Sequence, residues 1–301
     1  MTGLTALGID PASNPGVFLA ITAYTFAVVT VIWVIGLVRR NHSIMDAYYG
    51  FGYVIPAVLA FTIADAQSQV AVVLLLMVCL HGLRLGCYLA KRMHGYLKRY
   101  GGDPRYNTAR EKFSPGYWWK SFFLVMEPQA VLITLLGSPS VVGILYAREP
   151  NGQIGWLAVL GLAVFCIGLY FEAIADGQLQ AFIEDKPYNQ GPTGSGRYLN
   201  TGVWKHSRHP NYFGTTTVWW GIWIVAMSAS TACWWTVIGP VVNTLMLTVL
   251  TGSRMTDQIM GSRPEYRDLM NRTRFFFPIP VRADRFEPAA SRLTGSVRRP
   301  E

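Results

Sequence analysis

Charge is what this chain has least of. Only 14% of its 301 residues are Asp, Glu, Lys or Arg, while 51% are hydrophobic, and soluble domains carry about a quarter charged residues. An ordinary soluble domain is therefore excluded. Cysteine is also scarce: Cys79, Cys87, Cys166 and Cys233 all fall in apolar runs without paired spacing, which argues against a zinc or dithiol site and for small buried hydrophobes. The first fifteen residues contain no Lys or Arg, so a leader's positive n-region is missing and the first apolar helix is expected to stay as an anchor. There is no dinucleotide-binding glycine fingerprint, Walker loop, HExxH or nucleophile elbow. Gly191-Pro192-Thr193-Gly194-Ser195-Gly196 looks like a phosphate loop only on its surface; no strand precedes it, so it reads as a turn.

What is there comes in apolar blocks. Seven stretches approach the roughly 20 helical residues that cross a hydrocarbon core: Gly16 to Val38, Ala47 to Ala64, Val70 to Ala90, Trp118 to Leu136, Ile154 to Ala175, Phe213 to Ala229 and Cys233 to Thr251. With the N-terminus outside, 23 of the 26 Lys and Arg fall on the inner side, and Arg84, Lys120 and Arg148 are the rest. Cytoplasmic loops carry that excess. The expected fold is all-α, a polytopic membrane helix bundle of about seven transmembrane helices, N-out and C-in. One transmembrane domain is expected over residues 1–283, with a flexible basic tail over 284–301. The net charge of +9 is spread over four loops, which suits topology and anionic lipid rather than nucleic acid.

Ionisable residues within apolar helices are functional candidates. Asp46 opens the second helix. It reads either as a first-turn acid in a cap pattern with Ser43 or as a carboxylate that handles a proton or orients a substrate. In the third helix His81, Arg84, Tyr88 and Arg92 share one face. An Arg near the bilayer centre costs about 2.5 to 3.5 kcal/mol, so the stripe should face protein or water; the alternative is that Arg84 and Arg92 snorkel to the interface. Glu127-Pro128 in the fourth helix should line a cavity, with Glu127 either a catalytic acid or paired with Arg84. Glu172, Asp176 and Gln180 follow at spacings of four on the fifth helix, and the two like charges call for a counterpart.

The densest polar stretch is Lys205-His206-Ser207-Arg208-His209-Pro210-Asn211-Tyr212-Phe213-Gly214, directly ahead of an apolar run. An anionic cofactor at the inner face would suit Arg105, Arg197, Lys205, Arg208 and His209, with Asn211 reading an amide. Glu172 and Asp176 would then accept from ribose hydroxyls or an exocyclic amine.

Several of these motifs together carry a resemblance. Ser207 to Gly214, the Glu172-x-x-x-Asp176 face and the run from Pro264-Glu265-Tyr266 through Thr273 to Pro278 resemble the C-terminal half of the steroid 5α-reductase superfamily. The branch they resemble is that of DUF1295-like bacterial membrane reductases. Leu83-Arg84-Leu85 to Tyr88 and Asp103-Pro104-Arg105-Tyr106 are similar to that branch as well.

The resemblance implies an integral-membrane reductase that uses NADPH to reduce an activated C=C bond in a lipophilic, steroid-, isoprenoid- or lipid-like substrate. It also implies a multi-pass protein of the cell membrane, with its cofactor on the cytoplasmic side. Asn211, Asp176, Arg197 and Tyr266 resemble cofactor contacts. Arg84, Arg105, Glu172, Gln180, Arg208, His209 and Tyr212 complete the expected cofactor set. The steroid enzymes hold the carbonyl with a Glu on the second helix and a Tyr on the third; Asp46 and His81 are the nearest equivalents, and Tyr88 and Glu127 complete the catalytic candidates. Thr215 departs from the pattern, since the family has an acid directly after the Gly. Isoprenylcysteine-type methyltransferases, which bind S-adenosylmethionine, share a related RHP motif and give the second reading. A transporter or scaffold is the third. Membrane lipid and a lipophilic small molecule are the expected partners; no metal, nucleic acid or protein partner is expected.

Overall fold

The computed structural model describes residues 13–66, 68–147, 154–184, 198–250, 253–262 and 264–279. The described residues are helical, joined by turns and one isolated bridge, with no strands among them. The expected tail at 284–301, the glycine turn at 191–196 and Arg197 lie outside the described residues.

Helix α1 (Asn14–Val38) starts where the Ser13 hydroxyl accepts from the Gly16 N–H at 3.1 Å, the usual use of Ser at a helix start. Helix α2 (Ile44–Ile63) follows a short loop. Helix α3 (Gln69–Tyr100) is capped by Ser68 and ends at Gly101, whose φ of 69° lies in the left-handed region that favours glycine. It runs ten residues past the apolar stretch that predicts it, because hydropathy marks where a membrane ends and not where a helix does. Helix α4 (Pro104–Lys112) is started by Asp103, which accepts from the Arg105 N–H at 2.9 Å.

Helix α5 (Tyr117–Tyr146) contains a π turn at Phe122–Met126. The sequence predicts its end at Leu136, yet it continues through Pro139. Pro139 has no N–H to give the Leu135 carbonyl, and the Ser138 hydroxyl supplies that bond instead at 2.8 Å. Helix α6 (Trp156–Glu184) and helix α7 (Pro210–Ala229) are separated by a 3₁₀ turn at Gly202–Lys205. Helix α8 (Thr231–Leu250) is a composite of 3₁₀, α and π turns. Two short polar helices follow, α9 (Ser253–Met260) and α10 (Pro264–Arg272).

Six helices are long and apolar enough to cross a membrane: α1, α2, α3 over Gln69–Lys98, α5, α6 and α8. The expected count was seven. Helix α7 has the length, at 20 residues, but is not among the six. Leu76, Leu80, Phe123, Leu124 and Trp156 are exposed on these helices, which suits lipid rather than water.

The chain groups into two compact units, residues 1–166 with 218–243 and residues 167–217 with 244–301. In unit 1, Met45, Leu74, Ile133, Phe165 and Trp219 are fully buried. Helices α2 and α3 approach through glycine. A Cβ on Gly50 would run into the Gly82 carbonyl and the Gly86 backbone, and one on Gly82 would sit 2.6 Å from Val54 Cγ2.

Candidate functional site

Each unit contains a polar centre. In unit 1 it is Asp46, buried in the first turn of α2. Arg92 Nη2 donates to its Oδ2 at 2.9 Å, Arg105 Nη2 donates to the same oxygen, and Tyr106 Oη donates to Oδ1 at 3.0 Å. Arg105 also bonds both carboxylate oxygens of Asp103, at 3.0 and 2.7 Å. Burial alone would raise the Asp103 carboxyl, but the hydrogen bonds and charge of Arg105 outweigh it and hold the group below its ordinary value. Burial likewise works against the Arg105 charge, and Asp103 and Asp46 more than restore it. The Tyr106 phenol is raised well above its ordinary value, first by burial and then by Asp46.

This geometry corrects several expectations. Ser43 does not cap α2; its hydroxyl accepts from the Asp103 N–H at 2.8 Å. Asp46 is the first-turn acid of α2, as one reading had it, and is also an ion-pair centre engaged by three donors. Arg92 pairs with Asp46 instead of merely snorkelling. Arg105 keeps 62% of its side chain exposed, open to an anionic ligand. Tyr106 also lies 3.3 Å from Gln129 Oε1, whose amide group donates to the Val125 carbonyl inside the π turn at 2.6 Å.

His81 is fully buried, stacked 6.4 Å from the Tyr53 ring and edge-on to Trp219 at 5.4 Å. Arg84 and Tyr88 are half-buried farther along α3. Glu127 accepts from Thr30 Oγ1 at 3.1 Å, and its Oε2 is buried without a hydrogen-bond partner. The pairing with Arg84 expected from the sequence is thus replaced by a neutral hydroxyl from α1. A small cleft of about 10 Å³ in the same unit is lined by Phe18, Thr22, Thr25, Gly52, Pro56 and Thr134.

In unit 2 the second half of α6 meets the start of α7 at close range. A Cβ on Gly214 would lie 2.7 Å from Glu172 Cα and Cβ, so glycine is what lets the two backbones approach. Thr215 Oγ1 then donates to Glu172 Oε1 at 2.7 Å, and Asn211 Nδ2 donates to Asp176 Oδ1 at 3.2 Å. Both acids are buried, and each has a neutral donor, the counterpart that their spacing demanded. The departure at Thr215 is therefore a working contact. Gln180 does not join them; it donates to Glu184 on its own helix at 2.8 Å. Gln178 points the other way and accepts from the Val203 N–H at 3.1 Å, while Trp204 Nε1 donates to the Ala175 carbonyl at 3.1 Å.

The remaining cofactor candidates converge on a residue that the sequence did not mark. Asp257 on α9 takes Arg208 Nε and Nη2 on one oxygen at 3.1 and 3.0 Å, and His209 Nε2 and Tyr266 Oη on the other at 3.1 and 2.8 Å. Burial would raise this carboxyl, but the bonds from His209, Arg208 and Tyr266 hold it at about 2. Burial and the Asp257 charge in turn raise the Tyr266 phenol well above its ordinary value. Arg208, His209 and Tyr266 are thus joined in an internal cluster around Asp257. Tyr212 stacks on the His209 ring, 5.6 Å away and 6° from parallel.

Sequence reasoning missed Asp257, Gln129, Gln178 and the role of Tyr106. Only Tyr106 had a signal, as the last residue of the Asp-Pro-Arg-Tyr motif. Among the described residues no group of three or more His, Cys, Asp or Glu could hold a metal ion. No curated protein and no solved structure matches the chain. A family described as "Protein of unknown function (DUF1295)" matches residues 32–273, which contain both polar centres. On that match the chain belongs to the DUF1295 family, a steroid 5α-reductase-like family.

Proposed function

We propose that this protein is a reductase of the cell membrane that uses NADPH to reduce an activated C=C bond in a lipophilic substrate. The observation that carries the reading is the pairing of buried Glu172 and Asp176 with half-buried Thr215 and Asn211, set within the family's matched span. Carboxylate and amide groups of this kind suit ribose hydroxyls and a carboxamide. The cation set fits differently from the expectation. Arg208 is 9% exposed and bound to Asp257, so it does not suit a phosphate, whereas Lys205 on the preceding turn is exposed and does.

Bound NADPH supplies the hydride. The chain's own part begins with Asn211, whose amide would orient the carboxamide while Asp176 accepts from a hydroxyl. Thr215 holds Glu172 in its rotamer. Asp46 keeps the start of α4, with Arg105, in register. His81, Tyr88 and Glu127 remain the groups proposed to face the substrate's carbonyl. We place the N-terminus outside and the C-terminus inside, with α7 as a seventh crossing, because the basic residues cluster accordingly.

The test is thermal unfolding of the detergent-purified protein with each cofactor, since a ligand stabilises the state it binds. NADPH is expected to raise the melting temperature and S-adenosylmethionine to leave it unchanged. The reverse result overturns the reductase reading in favour of a methyltransferase.

A further inference from the structure

We propose that Asp257 is a positioning residue for the ligand end of unit 2: by gripping Arg208 and His209 it fixes the start of α7, and with it Asn211 opposite Asp176. This rests on the reading of Asn211 and Asp176 as ligand contacts.

The grip is extensive and lies entirely within three consecutive residues. Beyond its two bonds to Asp257, Arg208 sends Nη1 to the carbonyls of Met270 and Thr273, at 3.0 and 2.7 Å, at the end of α10. Its backbone N–H donates to the Arg274 carbonyl at 3.0 Å. Ser207 Oγ donates to the Phe276 carbonyl at 2.8 Å and accepts from the His209 N–H at 3.1 Å. The Phe275 ring lies against both the Arg208 guanidinium and the His209 imidazole, each at 5.6 Å. Ser207 to His209 is therefore held to residues 257–276 through backbone and side chain alike.

Pro210, the next residue, is the first of α7, and its ring restricts φ. Asn211 follows it. Displacement of His209 is passed to Asn211 across a single stiff residue, while the stack of His209 on Tyr212 ties the far side of Asn211 to the same imidazole. Charge decides how much depends on Asp257. Arg208 and His209 are both largely buried, and removing the carboxylate they share leaves the guanidinium desolvated without a charged partner among the described residues. The loop can relieve this only by moving, and Asn211 moves with it. Outer-shell partners of metal ligands change affinity by about 10- to 100-fold when removed, and an effect of that order is expected of Asp257.

The experiment combines hydrogen exchange of the ligand-free protein with NADPH titration, both well below the melting temperature. In Asp257→Asn the amides of 207–214 are expected to exchange faster while those of α1 stay unchanged. The NADPH dissociation constant should rise about 10- to 100-fold, with part of the loss recovered in Asp257→Glu. Tyr266→Phe removes one donor and keeps the carboxylate. It serves if Asp257→Asn does not fold, and should show the same pattern at a few-fold. Unchanged exchange at 207–214 overturns the proposal, as does faster exchange with unaltered NADPH affinity. If the wild type binds no NADPH, the reductase reading fails by itself, and the exchange result still decides whether Asp257 positions the loop.

Discussion

Asn211, at the start of α7, and Asp257, on α9, make different demands on a mutation. Asn211→Ala removes the amide that faces Asp176 and should abolish measurable NADPH binding while leaving the fold intact. Titration by fluorescence checks this, and unchanged affinity would contradict the assignment. His81→Ala, in unit 1, should leave NADPH affinity as it is and lose turnover. Asp257 should show in stability as well. Its native carboxyl is held at about 2 against an ordinary 3.8. A depressed acid stabilises the fold above the unfolded value and loses that contribution as pH falls through the folded one. About 2 kcal/mol should therefore disappear between about pH 4 and pH 2. Melting curves of the wild type should drop over that range, and those of Asp257→Asn should not. Asn211 and Asp176 were each legible as candidates because both belong to dense local patterns, but their pairing with one another was not. Asp257 was not, because it stands 49 residues from Arg208 with no periodicity linking the two.

At the scale of elements, the glycines of unit 1 separate two cases. Gly50 lies where α2 crosses α3 backbone to backbone, so Gly50→Ala should cost about 1–3 kcal/mol. Gly95, later in α3, has nothing within 4 Å of an added Cβ, so Gly95→Ala should gain about 0.5–1 kcal/mol from helix propensity. Thermal unfolding in one detergent compares the pair directly. The loop joining α1 to α2 adds a pH dependence of its own. His42 is fully buried there, and its pKa is lowered to about 4 by burial and then by the Arg110 charge. The unfolded chain takes up its proton near 6.5 and the native protein does not, so stability should fall by about 3 kcal/mol as pH drops from 6.5 to 4. His42→Gln should flatten that part of the profile. The helices were largely legible from apolar runs, but their ends were not. Helix α5 outran its apolar stretch through Pro139, where the compensating bond from Ser138 is a detail of side-chain geometry, and α3 outran its own because nothing in its polar continuation breaks a helix.

For the whole molecule, scarcity of charge and blocks of apolar sequence already specified an all-helical membrane protein. Partners within each polar centre stayed hidden, since Asp46 finds donors 46, 59 and 60 residues away and composition carries no such information. The reductase reading rests on hydride transfer, and isotope transfer tests it most directly. Proteoliposomes of the wild type would be supplied with NADPH carrying deuterium at its hydride position and with a panel of steroid, polyprenal and fatty-acyl enones, and the products examined by mass spectrometry. The expected result is one deuterium at the β-carbon of at least one enone, lost in Asn211→Ala. Absence of label from every product, together with methyl transfer from S-adenosylmethionine, would contradict it.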